Sequence, residues 1–270
     1  MLGARRFCGE NIVRAFIARA ALCAALAAMP AVSVAEGDAP FVYGYVQLMS
    51  NYIGRGLSQS VGKPSVQAEI DVNPGSGLYG NLSAVHIGWV DKLYPGDSVH
   101  YEVDGVLGYR WLVGSDVEFK AGVLELDFPG RYVLQTPPAK RPDTTEVFGY
   151  ARWKGLSARL NLDVTDSFGT PDSGGAWYLD TNAVLPLGTE WSAAAHLGRK
   201  QSRGSDPVTG ASNAKRFSYT DYKLSIARLF PQGCSLTLAY SWTTADPAIY
   251  TLDGYRVGGN IVSMVLEKDF

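Results

Sequence analysis

Residues 99–111 read Val-His-Tyr-Glu-Val-Asp-Gly-Val-Leu-Gly-Tyr-Arg-Trp. Val99, Tyr101, Val103, Leu107, Tyr109 and Trp111 share one parity; His100, Glu102, Asp104 and Arg110 share the other. Only an extended strand puts alternate residues on opposite faces, so the stretch is predicted to be a strand with one apolar and one polar side. Residues 65–72 repeat the pattern, with Val66, Ala68, Ile70 and Val72 against Ser65, Gln67, Glu69 and Asp71. So do residues 156–168, where Leu156, Ala158, Leu160, Leu162 and Val164 alternate with Ser157, Arg159, Asn161, Asp163 and Thr165.

Weaker versions of this period predict strands near 41–51, 65–72, 78–90, 99–111, 116–128, 144–153, 156–168, 176–185, 190–199, 217–229, 234–244 and 257–270, twelve in all. No helical segment competes. The alternation slips a phase near Val85 and near Leu124, where bulges are expected. Five connections are tight turns, such as Asn73-Pro74-Gly75-Ser76-Gly77 and Lys154-Gly155; those at 52–64, 91–98, 129–143, 169–175, 200–216 and 245–256 are long. Short and long alternate without exception. An up-and-down antiparallel meander with its long loops at one end and both termini at the other generates that order. Transmembrane β-barrels of the bacterial outer membrane, with short periplasmic turns and long extracellular loops, have this form.

The six tryptophans fall at strand ends, Trp111, Trp153 and Trp191 beside short turns and Trp89, Trp177 and Trp242 beside long loops. Two such levels match aromatic girdles at the two membrane interfaces. A soluble periplasmic barrel or sandwich shows the same period with its faces reversed. Strand length argues against it, because about ten residues suit a tilted crossing of the hydrocarbon layer. Strand number does too, because twelve strands enclose more space than side chains fill.

The 270 residues are 46% hydrophobic and 19% charged, with 24 basic and 26 acidic side chains. This is too apolar for a disordered chain, holds no apolar run long enough for a membrane helix, and is not basic enough for a nucleic-acid binder. Residues 1–35 are expected to be a cleaved signal peptide and residues 36–270 the barrel. Arg5, Arg6, Arg14 and Arg19 precede the apolar residues 20–29, then come Pro30 and the small residues of Ser33-Val34-Ala35. Cleavage would remove four arginines and Glu10, taking the net charge from −2 to −5. Cys8 and Cys23 lie in that leader, so Cys234 is expected to stand alone without a disulfide.

At the C-terminus Val262, Met264 and Leu266 are in phase with the final Phe270. This resembles the closing strand of bacterial outer-membrane proteins, and the resemblance implies that the barrel-assembly machinery recognises Phe270. Lys268 interrupts the apolar face where its ammonium can snorkel. Ser50-Asn51-Tyr52-Ile53-Gly54-Arg55-Gly56-Leu57-Ser58-Gln59-Ser60 resembles a segment of the TorF-like porin family, roughly S-D-Y-x-x-R-G-x-S-Q-S, with Asn51 in place of Asp. Pro64-Ser65-Val66-Gln67, Gly77-Leu78-Tyr79-Gly80 and Tyr219-Thr220-Asp221-Tyr222-Lys223 are similar to further stretches of that family. The resemblance implies an all-β channel in the bacterial outer membrane.

With apolar faces toward lipid, Glu69, Asp71, Glu102, Asp104, Arg110, Glu118, Lys120, Arg152, Arg159, Asp163, Asp180, Asp221 and Lys223 are expected to line the lumen. Tilted strands in this number give a backbone radius of roughly 13 Å, which side chains narrow to suit small polar solutes. Mixed acid and arginine would orient those solutes. The competing use of the charges is cross-strand pairing, as between Arg110 and Asp116 or Glu118. Loop 52–64 adds Arg55, between Gly54 and Gly56, with Gln59 beside it, as a candidate constriction or anion contact. The alternative is that these glycines only turn the chain.

His86, His100 and His196 lack metal-ligand spacing, and His100 and His196 read as lumen-facing. No Gly-x-Ser-x-Gly, phosphate-binding loop or Cys–His pair is present, so no catalytic residue, metal or cofactor is expected. A passive or weakly selective diffusion channel is weighed against a barrel plugged by its own loops with a structural or adhesive role, and against an outer-membrane lipid hydrolase. Arg131, Lys140, Arg141, Lys200, Arg203, Lys215 and Arg216 in the long loops are expected to meet lipopolysaccharide phosphates or solvent. Outer-membrane lipid and small solutes are the other expected partners; homo-oligomerisation is left open.

Overall fold

The computed structural model describes residues 41–94, 96–133 and 140–270, so the expected signal peptide lies outside the described residues. Twelve antiparallel strands close into one barrel. They are β1 Phe41–Met49, β2 Ser65–Asn73, β3 Leu78–His86, β4 Tyr101–Val113, β5 Val117–Asp127 and β6 Thr144–Trp153. Then follow β7 Leu156–Asp163, β8 Trp177–Leu187, β9 Trp191–Gln201, β10 Tyr219–Phe230, β11 Cys234–Thr243 and β12 Ile261–Asp269. Each strand pairs with its neighbours in the chain, and β1 against β12 closes the ring, with Leu48 opposite Leu266. At that seam Gly44 and Phe270 exchange backbone hydrogen bonds of 3.0 and 2.9 Å. A Cβ on Gly44 would meet the Phe270 ring at 2.9 Å, so the missing side chain makes room for the terminal aromatic.

Both described termini and the five tight turns share one end, here the turn end; the long connections occupy the loop end. The outer surface is apolar: Val66, Ile70, Leu82, Leu107, Leu160, Leu224, Leu238 and Met264 are all exposed on it. The polar parity turns inward, which is the arrangement the alternation predicted for a membrane barrel.

Neither expected bulge exists. Pairing of β3 with β4 runs unbroken from Leu78–Tyr109 to His86–Tyr101, and β5 is continuous with both neighbours. Val85, Leu124, Leu126 and Phe148 instead keep the inward parity. They pack with Ile87, Val90, Val99 and Phe128 into an apolar cluster inside the loop half of the barrel. The apparent slips are places where the inward face itself turns apolar.

Trp89 belongs to that cluster too. It opens the short helix Trp89–Leu93, where β3 was expected to continue, and its ring meets Phe128 edge-on at 5.5 Å. It is not part of a girdle; the other five tryptophans hold outward parity. A second short helix, Asn213–Phe217, and a helical turn at Ser167–Gly169 also stand where no helical segment was expected.

Candidate channel constriction

After β1 the chain folds back into the barrel. Ile53–Gly54 pairs with Leu57–Ser58, and the Arg55-Gly56 tip has φ of 49° and 75°. Two positive φ values make the hairpin turn whose twist matches its strands, which suits Gly56 and strains Arg55. Polar side chains hold the hairpin's base. Asn51 Oδ1 accepts from the Ser58 hydroxyl at 2.6 Å, its Nδ2 donates to Tyr255 Oη at 3.1 Å, and the Tyr52 amide donates to Ser60 Oγ at 3.0 Å. The Gln59 carbonyl accepts from the amides of Gly88 and Trp89, tying the hairpin to the apolar cluster.

The tip reaches three walls. Arg55 Nη2 donates to Glu146 Oε2 on β6 at 2.8 Å, its guanidinium lies over the rings of Phe168 and Tyr178, and its carbonyl accepts from Tyr219 Oη on β10 at 2.9 Å. A Cβ on Gly56 would lie 2.2 Å from that of Asp221, so no other residue fits there. Burial opposes the Arg55 charge, but the completely buried Glu146 outweighs it and raises the guanidinium pKa above its ordinary value.

The hairpin stands between two cavities. One, of about 230 Å³, is lined by Arg55, Gln59, Glu102, Asp104, Arg159 and Asp180 together with Tyr52, Phe168 and Tyr178. The other, of about 200 Å³ on the loop side, is mostly apolar, with Trp89, Leu93, Phe217, Ile249 and Tyr250 on its walls and Lys200 among them. Arg55, Gln59 and Phe168 border both.

The remaining expected lumen residues face inward but lie off this charged cavity. Asp163 Oδ2 takes Lys200 Nζ at 2.9 Å, and Asp221 takes His196 Nε2 at 2.9 Å. Near the turn end, Glu118 gathers Arg110 at 2.6 Å, Arg152 at 2.8 Å and Lys120 at 3.5 Å. Tyr45 Oη donates to Glu69 at 2.7 Å and Asn81 Nδ2 to Asp71 at 3.1 Å. Lys223 shares the parity of Asp221 and is exposed.

Two expectations fail. Lys200 is not a cation of the outer loop: β9 runs through it, and it is 7% exposed. His100 is not on a lumen wall; it precedes β4, half exposed, against Asp91 at 2.9 Å.

Sequence reasoning missed Glu146, Asn161, Tyr178 and Phe168. Glu146 shares the parity of Arg152 on the same strand and was within reach of the alternation argument. Phe168 lies in an aperiodic connection that carries no such signal.

The model of a family described as "Bacterial protein of unknown function (Gcw_chp)" matches residues 34–270. No curated protein matches the chain. Among solved structures, the KdgM porin superposes with a TM-score of 0.50 at 7% identity, over 85% of this chain and 98% of that one. The NanC porin does so with a TM-score of 0.50 at 9% identity, over 84% and 98%. At such identities the likeness is one of fold.

Proposed function

The chain belongs to the Gcw_chp family, and on that premise we propose that it is an outer-membrane porin, a passive or weakly selective channel for small polar solutes throttled by the Arg55 hairpin. The observation that carries this reading is a closed ring with an apolar outer surface and charged inner walls, into which one loop folds to leave a cavity on each side. The fold shared with two porins supports it, as does the resemblance of residues 50–60 to TorF-like porins.

The test is planar-bilayer recording of the refolded protein. Discrete conductance steps are expected, and a silent bilayer would refute the channel. Arg55→Ala should raise conductance and shift ion selectivity; if neither changes, Arg55 is not in the constriction. The second reading, a plugged barrel, draws on the same hairpin being pinned at Glu146 and Tyr219 and backed by the apolar cluster. The same recording separates the two. The hydrolase reading lacks support: His196 Nε2 faces Asp221, and Nδ1 faces Asn182 and Asp180.

As partners we propose lipopolysaccharide at exposed loop cations such as Arg131, Lys140 and Arg203, and the assembly machinery at Phe270, which is 69% exposed.

A further inference from the structure

The charged cavity holds unspent groups of both signs. Glu102, 6% exposed on β4, has no hydrogen bond or ion pair among the described residues. Asp104, two residues on and so on the same face, keeps a buried Oδ1 without a partner; its other oxygen has only Ser83 Oγ at 3.5 Å. Two neighbouring carboxylates repel each other and have lost water, and Arg55, the cation that acts on both, is already bound to Glu146. A positive charge placed beside them relieves both costs.

The other walls carry the complement. Arg159 on β7 spends Nε on Asn161 at 2.9 Å and lies over the Phe148 ring at 3.9 Å, while its Nη2 is buried without a partner. Arg55 spends Nη2 on Glu146, and its Nη1 is likewise unpartnered. A carboxylate is the planar acceptor that guanidinium groups match best. Groups of both signs thus border one cavity; Asp180, opposite Arg159, is already engaged by Asn182 and His196, and the remaining surface includes Leu124, Leu126 and Tyr52.

We infer that this cavity binds a zwitterion of the α-amino-acid type, its ammonium at Glu102 and Asp104 and its carboxylate at Arg159 and Arg55. The inference deepens the channel reading by naming the solute class held at the constriction. Neither a simple anion nor a simple cation satisfies both walls.

Equilibrium binding to the detergent-solubilised, folded barrel tests it with L-leucine, L-leucinamide and N-acetyl-L-leucine, which share a side chain and differ in charge. Leucine should bind about tenfold or more tightly than either derivative, since each derivative loses one charge-assisted contact. Arg159→Gln should cost leucine about tenfold while leaving leucinamide little affected, and Glu102→Gln should do the converse with N-acetyl-leucine. Heat-modifiable gel mobility reports whether each variant still folds; if one does not, the three-ligand comparison on the native protein stands alone. Equal binding of all three, tighter binding of a singly charged derivative, or no binding overturns the inference. Bilayer conductance is scored separately: a conducting barrel that ignores leucine sinks the inference alone, and a silent barrel that binds leucine sinks the channel alone.

Discussion

Near its turn-end start, β5 carries Glu118, which takes Arg110 at 2.6 Å and Arg152 at 2.8 Å across two neighbouring strands. Near its loop-end finish, the same inward parity carries Leu124 and Leu126, packed with Phe128 and Phe148. One strand face thus lines two different interiors. In the turn half it meets charge and water, and the polar-in, apolar-out rule of a channel wall holds. In the loop half the folded-back hairpin and Trp89–Leu93 cover the wall, so the inside becomes a small apolar core and the rule lapses. A barrel wall reads as a membrane wall only where its lumen is wet.

If that contrast is right, the largest loss of stability comes from emptying the dry half. Phe128 is completely buried, and Phe128→Ala should cost about 3–5 kcal/mol, read from urea titration of folding into bilayers. A loss below about 1 kcal/mol would mean that the cluster is loosely packed and the contrast overstated.

Next is Glu146→Gln, which leaves the Arg55 guanidinium with a neutral partner in a nearly dry setting. It should cost about 3 kcal/mol and release the hairpin tip, so that conductance rises as in Arg55→Ala. Lower stability with unchanged conductance would place the throttle elsewhere. Arg152→Ala, in the wet half, should cost under about 1 kcal/mol: its side chain is 50% exposed and Glu118 keeps Arg110. A cost matching that of Glu146→Gln would erase the distinction between the halves.

The same contrast explains what was legible beforehand. All twelve strands and the sidedness of their connections follow from the period of two and from turn residues. Strand ends were misplaced where the alternation slips, as at β3, which stops at His86, or outlasts the strand, as at β7, which stops at Asp163; each is followed by chain that folds in rather than onward. Single residues of the constriction were visible as inward charges. Their grouping was not, because it depends on the hairpin's path through the lumen, and that path is fixed by Asn51, Ser58 and Ser60 meeting Tyr255 and each other. A one-dimensional pattern carries parity; it does not carry which loop enters.

The smallest effect concerns the turn that supports Phe168 beneath Arg55. Asp166 precedes it, accepts from the Ser173 amide at 2.9 Å and pairs with Lys140. Burial raises the Asp166 pKa, but the Lys140 ammonium and the Ser173 amide outweigh it and hold the group below its ordinary value. A depressed folded pKa stabilises the fold above the ordinary carboxylate range, and that contribution is lost as pH falls through the folded value. Wild type should therefore exceed Asp166→Asn in folding midpoint at neutral pH, and the gap should close as pH drops below about 4. No gap at neutral pH would show that the Ser173 contact, which Asn retains in shape, and not the charge, holds the turn in place.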